Sequence, residues 1–261
     1  MSVIVTLRAT DADWAEGSGP EIPGGPDGRR HDGGVLWIGG APCAGKTTVA
    51  DIVAAARGLP LYSCDDAFAR HAAAIAPGDG PTLKKVTALD TGARLAQPVE
   101  VQVGDVVRAY REQFPLIRRD LDGIGPAVVE GAALMPDLLA EHGVEPGRAV
   151  WIVPTEQFQR RYYTQRAWAR DLVAGLEDPD GAFDRWMRRD AAFARLVADR
   201  AHALGYRVIT VDGTVDIAGI AAQIEAIKCV RRGKDHRFTW TGGYQRRSSD
   251  GVRPLARPLN V

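Results

Sequence analysis

The run Gly40-Ala41-Pro42-Cys43-Ala44-Gly45-Lys46-Thr47-Thr48 carries the densest chemistry in the sequence. Glycine, four residues, then Gly-Lys-Thr is the spacing of a phosphate cradle. Glycines let a backbone wrap closely around phosphate with successive N–H groups facing inward, and the helix that follows adds its partial positive charge. Lys46 would bridge the β and γ phosphates of a nucleoside triphosphate, expected to be ATP. Thr47 would give its hydroxyl to Mg²⁺, whose remaining ligands are water and phosphate oxygens. The lysine is read as a surface-facing charge held near phosphate. Cys43 is read as a small neutral side chain, because the loop does not require a thiol.

Other residues stand where they could act on such a nucleotide. Asp65 and Asp66 follow a short apolar run in LYSCDDAF. An aspartate at the carboxyl end of a strand beside the loop can accept a hydroxyl proton, or hold a hydroxyl in line with the γ phosphate. One of the pair is expected to cap the next helix instead, and Asp66 is better placed for that. Which of them meets an acceptor stays open, with Asp65 preferred. Glu130 ends the apolar run Ala127-Val128-Val129, where an acid can hold Mg²⁺ through water, contact substrate, or serve as a buried structural group. Arg160, Arg161, Arg166 and Arg170 crowd one later segment, and Arg161 and Arg166 are the candidates to clasp a transferring phosphoryl group with their planar forks. Arg166 and Arg170 share a helical face that Arg161 does not, so they cannot all reach one phosphate; a solvated basic face is the alternative. Tyr162, Tyr163 and Trp168 are read mainly as packing.

The elements that must position these groups follow from the apolar pattern. Strands are expected at 35–39, 60–63, 127–130, 149–153 and 206–211, and helices at 46–57, 66–76, 99–121, 156–172, 183–204 and 215–228. The segment 176–181 reads as a Pro/Gly turn between two of them. Strands alternating with helices imply an α/β fold, a parallel sheet covered on both faces. About 60 residues separate the second and third strands, room for a helical insertion with a loop at 77–81 and with Arg94, Arg108, Arg111, Arg118 and Arg119. Each of those arginines is read first as a surface charge and second as a contact for an anionic acceptor.

Composition bounds the rest. At 261 residues the chain suits one domain, expected at 34–228, with a flexible Gly/Pro-rich leader at 1–33 and a basic, poorly ordered tail at 229–261. Lys+Arg and Asp+Glu both total 33, so no net basicity recruits nucleic acid or an anionic membrane. Cys43, Cys64 and Cys229 have neither metal-site nor disulfide spacing, the five histidines are scattered, and no signal peptide or spanning run is evident. A cytoplasmic protein with a small-molecule partner is expected.

Taken together, these residues resemble the P-loop kinases of the nucleoside-monophosphate-kinase-like group, among them shikimate, gluconate, uridine, chloramphenicol and 2-phosphoglycerate kinases. The resemblance spans roughly 34–227 and implies a P-loop NTPase fold, a five-stranded parallel sheet flanked by helices, with ATP and Mg²⁺ as cofactors. It implies that Asp65 or Asp66 contacts the acceptor hydroxyl. Glu130 stands where the usual aspartate of the Walker B position would help hold Mg²⁺. It also implies that the segment carrying Arg161 and Arg166 is an arginine-rich lid, that the helical insertion covers substrate, and that Asp212, Gly213 and Thr214 help form the adenine pocket. The function implied is transfer of the γ phosphoryl group to a small-molecule acceptor. Two other readings stand beside it: a polynucleotide 5′-hydroxyl kinase or nucleic-acid-dependent ATPase using the basic tail, and a non-catalytic nucleotide switch.

Overall fold

The computed structural model describes residues 34–76 and 78–226; the leader and the tail expected from sequence lie outside the described residues. Five strands, β1 (Leu36–Gly40), β2 (Leu61–Ser63), β3 (Val128–Glu130), β4 (Ala149–Pro154) and β5 (Arg207–Val211), form one sheet in the order β2-β3-β1-β4-β5. Every pairing is parallel.

The strand sequences explain why the sheet is covered on both faces. Successive side chains on a strand point to opposite sides, so a strand buried on both must be apolar throughout. Trp37, Val129, Ala149, Trp151 and Val153 enter one core. Leu36, Ile38, Val128, Val150 and Ile152 enter the other. Helices α1 (Lys46–Arg57) and α10 (Ile217–Glu225) close the second face with Val49, Val53, Ile220 and Ile224, all 1 % exposed or less. Each such side chain contributes roughly 1.5–3 kcal/mol by leaving water.

The first face is closed by α2 (Cys64–Ala74), α5 (Val99–Leu121), α6 (Pro136–Glu141) and α9 (Pro179–Ala203). Between β2 and β3 the insertion also holds α3 (Pro81–Ala88) and α4 (Thr91–Leu95). A third, smaller core joins α4, α9, α7 (Glu156–Thr164) and α8 (Ala167–Val173) around Tyr163 and Trp186. No helix among the described residues is long and apolar enough to cross a membrane.

Three expected boundaries are corrected. The second helix begins at Cys64 rather than 66, because the Ser63 hydroxyl accepts the Asp66 N–H and is the cap. Neither aspartate of the pair caps it. The helix expected over 156–172 is two helices, broken where Arg166 takes an extended backbone (φ −99°, ψ 112°). The turn expected at 176–181 already belongs in part to α9, whose first residue is Pro179 and whose cap is Asp178, accepting the Gly181 N–H.

The chain runs from β1 out to the β2 edge, returns through β3, and then passes to β4 on the other side of β1. Strand order therefore reverses at β1, and in an open parallel sheet the crevice for a ligand lies beyond the carboxyl ends at such a reversal. The candidate residues follow those ends: the loop after Gly40, the acids after Ser63, Glu130 itself, and the turn after Val211.

Candidate active site

The loop between β1 and α1 is closely confined. Gly40 has φ +134°, and a Cβ there would lie 1.9 Å from the Ile152 carbonyl oxygen of β4, so no other residue fits. Cys43 takes a left-handed backbone, φ +64°, unusual for a residue with a side chain. Cys43 packs, as Trp168 does, against the core that contains Tyr163 and Trp186. Burial pushes the thiol up to about 11, against the opposing pull of Arg166 and Lys46. Lys46 is not surface-facing: it is 4 % exposed, and its Nζ donates to the Ala41 carbonyl oxygen of its own loop at 2.8 Å. Its position follows from the left-handed turn at Gly45, which starts α1 at the lysine itself. Thr47 and Thr48, one and two residues on, are exposed.

Glu130, at the end of β3, is fully buried beside this loop. The Ser63 hydroxyl donates to its Oε1 at 2.8 Å, and the Thr47 hydroxyl reaches its Oε2 at 3.4 Å. Ser63 thus joins two tasks, capping α2 and orienting Glu130. Sequence reasoning passed over it, although Ser63-Cys64-Asp65-Asp66 fits the helix-start pattern of a hydroxyl followed three residues later by an acid. Burial raises the Glu130 carboxyl above its ordinary range, while Lys46 and the Ser63 hydroxyl pull it back.

Both carboxylate oxygens of Asp65 are shut off from water, and neither has a hydrogen-bond partner among the described residues. Burial raises its carboxyl well above the usual range, and the neighbouring Glu130 charge adds to that; Lys46 opposes, as does the Ala132 N–H, which lies outside hydrogen-bond geometry. Such an arrangement is costly, since an unsatisfied buried charged group is disfavoured by about 1–3 kcal/mol or more. Close approach at Gly131 permits it: a Cβ there would meet the Cys64 Cβ at 2.6 Å and Asp65 Oδ1 at 3.4 Å. Asp66 is exposed and bears on Glu130 only through its charge.

The structure therefore gathers Lys46, Thr47, Asp65 and Glu130 at one place. Arg166 also arrives: it stacks over Tyr162 at 4.8 Å and Trp168 at 6.0 Å, and its charge is felt at Cys43. Arg161 stands on the exposed side of α7 and is not among the charges felt there. Tyr163 and Trp168 pack in the third core, as expected, whereas Tyr162 is exposed and stacked on Phe158 at 5.2 Å. Asp212 accepts from the Thr214 N–H and hydroxyl at 2.8 and 2.7 Å, so its carboxylate is committed to its own turn. That turn is close to α7, since a Cβ on Gly213 would lie 3.3 Å from the Phe158 ring. Ile217, just beyond it, would meet a Cβ on Gly45 at 2.7 Å.

The donors suit a hard cation. A hydroxyl and a carboxylate are oxygen ligands of the kind Mg²⁺ takes, with water and phosphate oxygens completing its shell. Among the described residues no group of three or more His, Cys, Asp or Glu side chains is arranged to hold a metal.

No protein-family model matches the chain, and no curated protein matches it. Among solved structures it is similar to a shikimate kinase from Acinetobacter baumannii, described in complex with shikimate, at 15% identity and TM-score 0.44 over 73% of this chain and 90% of that one. It is also similar to a gluconokinase from Sinorhizobium meliloti, at 17% identity and TM-score 0.37 over 76% and 93%. At that identity and overlap neither assigns a substrate or a reaction.

Proposed function

We propose that this protein is an ATP- and Mg²⁺-dependent kinase that transfers the γ phosphoryl group to a hydroxyl of a small-molecule acceptor. The observation that carries the reading is Asp65, a buried carboxylate with no partner, held beside Glu130 and the loop lysine. Packing gives no reason to keep an acid there, whereas a group whose task is to receive a proton gains from a raised pKa. When bound, Mg²⁺-ATP supplies a phosphoryl group for in-line transfer with its charge spread over the phosphate oxygens.

Each side chain then has one task. The loop amides and Lys46 hold the β and γ oxygens, the lysine exchanging its bond to the Ala41 carbonyl for phosphate. Thr47 and Glu130 hold the ion, Glu130 being kept in register by Ser63. Asp65 takes the proton from the acceptor hydroxyl as its oxygen bonds to phosphorus and the bond to the leaving nucleoside diphosphate breaks. Arg166, on the segment read as a lid, offsets charge on the moving phosphoryl group. The turn at Asp212, Gly213 and Thr214 borders the base through main chain.

The test is incubation with ATP, Mg²⁺ and metabolite mixtures, with phosphorylated products read by mass spectrometry and Lys46→Ala as the control. A product that wild type makes and Lys46→Ala does not is the expected result. Nucleotide binding with no product from any mixture would leave a nucleotide switch as the reading.

A further inference from the structure

Arg166 stands at the break between α7 and α8, and its backbone is pinned on both sides. Its N–H donates to the Tyr163 carbonyl at 3.1 Å, and its own carbonyl accepts from the Ala169 N–H at 3.0 Å. The side chain is half-buried, whereas Arg161 and Arg170 on the flanking helices are exposed. Among the charges felt at Cys43 of the loop after β1, that of Arg166 comes first.

Two rings meet its guanidinium. The carbon at its centre lies 4.8 Å from the centroid of Tyr162 and 6.0 Å from that of Trp168, both within the reach of a cation over an aromatic face. Each ring is held by a different part of the fold. Tyr162, 44 % exposed, stacks at 5.2 Å and 26° on Phe158, one helical turn before it. Phe158 in turn packs against the core under α1 and α10. Trp168 meets Tyr163 and Trp186 at 5.8 Å each, against the third core. A buried ion pair fixes those two partners. Asp190 accepts from Arg189 Nε at 2.8 Å, from Trp186 Nε1 at 3.0 Å and from the Tyr163 hydroxyl at 3.5 Å. The charges of Arg189 and Asp190 also reach the buried Arg94 of α4. Arg166 therefore rests on supports anchored in two cores.

We infer that Tyr162 is a positioning residue for phosphoryl transfer, carrying the guanidinium of Arg166 on its ring so that the planar fork is ordered before nucleotide arrives. Stacking occupies the flat faces of a guanidinium. Its five N–H donors lie in the plane, so a stacked arginine can still give its edge to phosphate oxygens. The benefit is order. A long side chain immobilised only as it meets phosphate loses rotamer entropy at that moment, whereas one already held by rings has lost it on folding. Burial does not require an aromatic at 162, because much of that side chain faces solvent. Tyr162 acts through Arg166 and not on substrate. The task given to Arg166 rests on the kinase reading; the stack does not.

The full chain is titrated calorimetrically with Mg²⁺-ATP and with Mg²⁺-ADP, whose affinities differ by what the γ phosphate meets. Tyr162→Phe keeps the ring and Tyr162→Leu removes it, the latter made both in wild type and in Arg166→Ala. Arg166→Ala should weaken ATP by about tenfold or more and ADP by less than about twofold. Tyr162→Leu should weaken ATP by about two- to fivefold with ADP unchanged, and Tyr162→Phe should match wild type. In the Arg166→Ala background Tyr162→Leu should add nothing, which closes the cycle. The inference is overturned if Tyr162→Leu leaves ATP affinity unchanged, weakens ADP as much as ATP, or costs as much without Arg166 as with it. It is also overturned if Arg166→Ala spares the preference for ATP. A closed cycle with no phosphorylated product from any acceptor mixture sinks the kinase reading and leaves Tyr162 as the support of Arg166.

Discussion

Asp65 couples stability to activity at a single carboxyl. The folded chain holds its proton more tightly than the unfolded chain, whose value is near 3.8. The corresponding stability is therefore present below that ordinary value and is lost as pH rises through the raised one. Above the ordinary carboxylate range the fold works against an acid at this position, so Asp65→Asn should raise the melting temperature of the nucleotide-free protein by a few degrees, about 1 kcal/mol. The same substitution should lower turnover by about 10² to 10⁴-fold while leaving ATP affinity unchanged, since the carboxylate serves the acceptor side. Scanning calorimetry and steady-state kinetics read the two effects, and unchanged turnover would transfer the base role to Glu130. Thr47→Ala makes a separate claim about the ion. With its hydroxyl gone, affinity for Mg²⁺-nucleotide should fall by more than affinity for the nucleotide in EDTA, and equal losses in both titrations would remove Thr47 from the metal.

At the scale of elements, one clasp fixes α2 and so the approach of Asp65. Asp120 near the end of α5 accepts from the Tyr62 hydroxyl of β2 at 2.7 Å, from Arg70 Nη2 at 2.6 Å and from His71 Nε2 at 2.8 Å. Gln113 donates to His71 Nδ1 and to the Cys64 carbonyl, which leaves the ring proton on Nε2 for Asp120. Burial acts upward on Asp120, but the bonds from Arg70, Tyr62 and His71 outweigh it and hold the carboxyl at about 2 against an ordinary 3.8. That contribution is complete above 3.8 and vanishes as pH falls through 2. Asp120→Asn should cost about 1 kcal/mol at neutral pH, after discounting for solvent, and urea midpoints should show a flatter acid limb than wild type. The helices α1 and α5 could be read from their patterns to the residue, because Gly45, Gly58 and Pro98 bracket clear apolar stripes. The break between α7 and α8 could not: no Gly or Pro marks it, and the packing of Tyr163 and Trp168 on Trp186 is tertiary. Types and spacing pointed to the loop, Asp65 and Glu130, which the fold brings together, and to Asp66, which stays exposed and caps nothing. Arg94, Arg189 and Asp190 were not singled out as a group, because pattern reading places charges outside and only the fold brings these three together inside.

For the molecule as a whole, the sheet binds its two faces into one unit while the loop sits at their shared edge. Ala41 and Trp37 lie in one core, Ala44 and Val49 in the other, and the loop after β1 runs between them. A ligand in that loop should therefore stabilise the whole domain and not only its surroundings. At about one hundred times its dissociation constant a nucleotide adds about 2.7 kcal/mol, which for a domain of this size is a rise of roughly 5–10 °C in a single cooperative transition. Differential scanning calorimetry with Mg²⁺-ATP checks this, and a transition that splits in two would deny that the faces unfold together. Omitting Mg²⁺ should shrink the rise.

Cys43 turns the same loop into a chemical clock. Its thiol is sheltered by the aromatic side chains of α7, α8 and α9 and held mostly protonated, so alkylation is slow while that cover stays down. Cys64 is fully buried, which leaves Cys229 as the one background thiol to replace by serine. The rate at which iodoacetamide then consumes Cys43, which is half-buried and not sealed, reports how openly the loop after β1 holds its thiol.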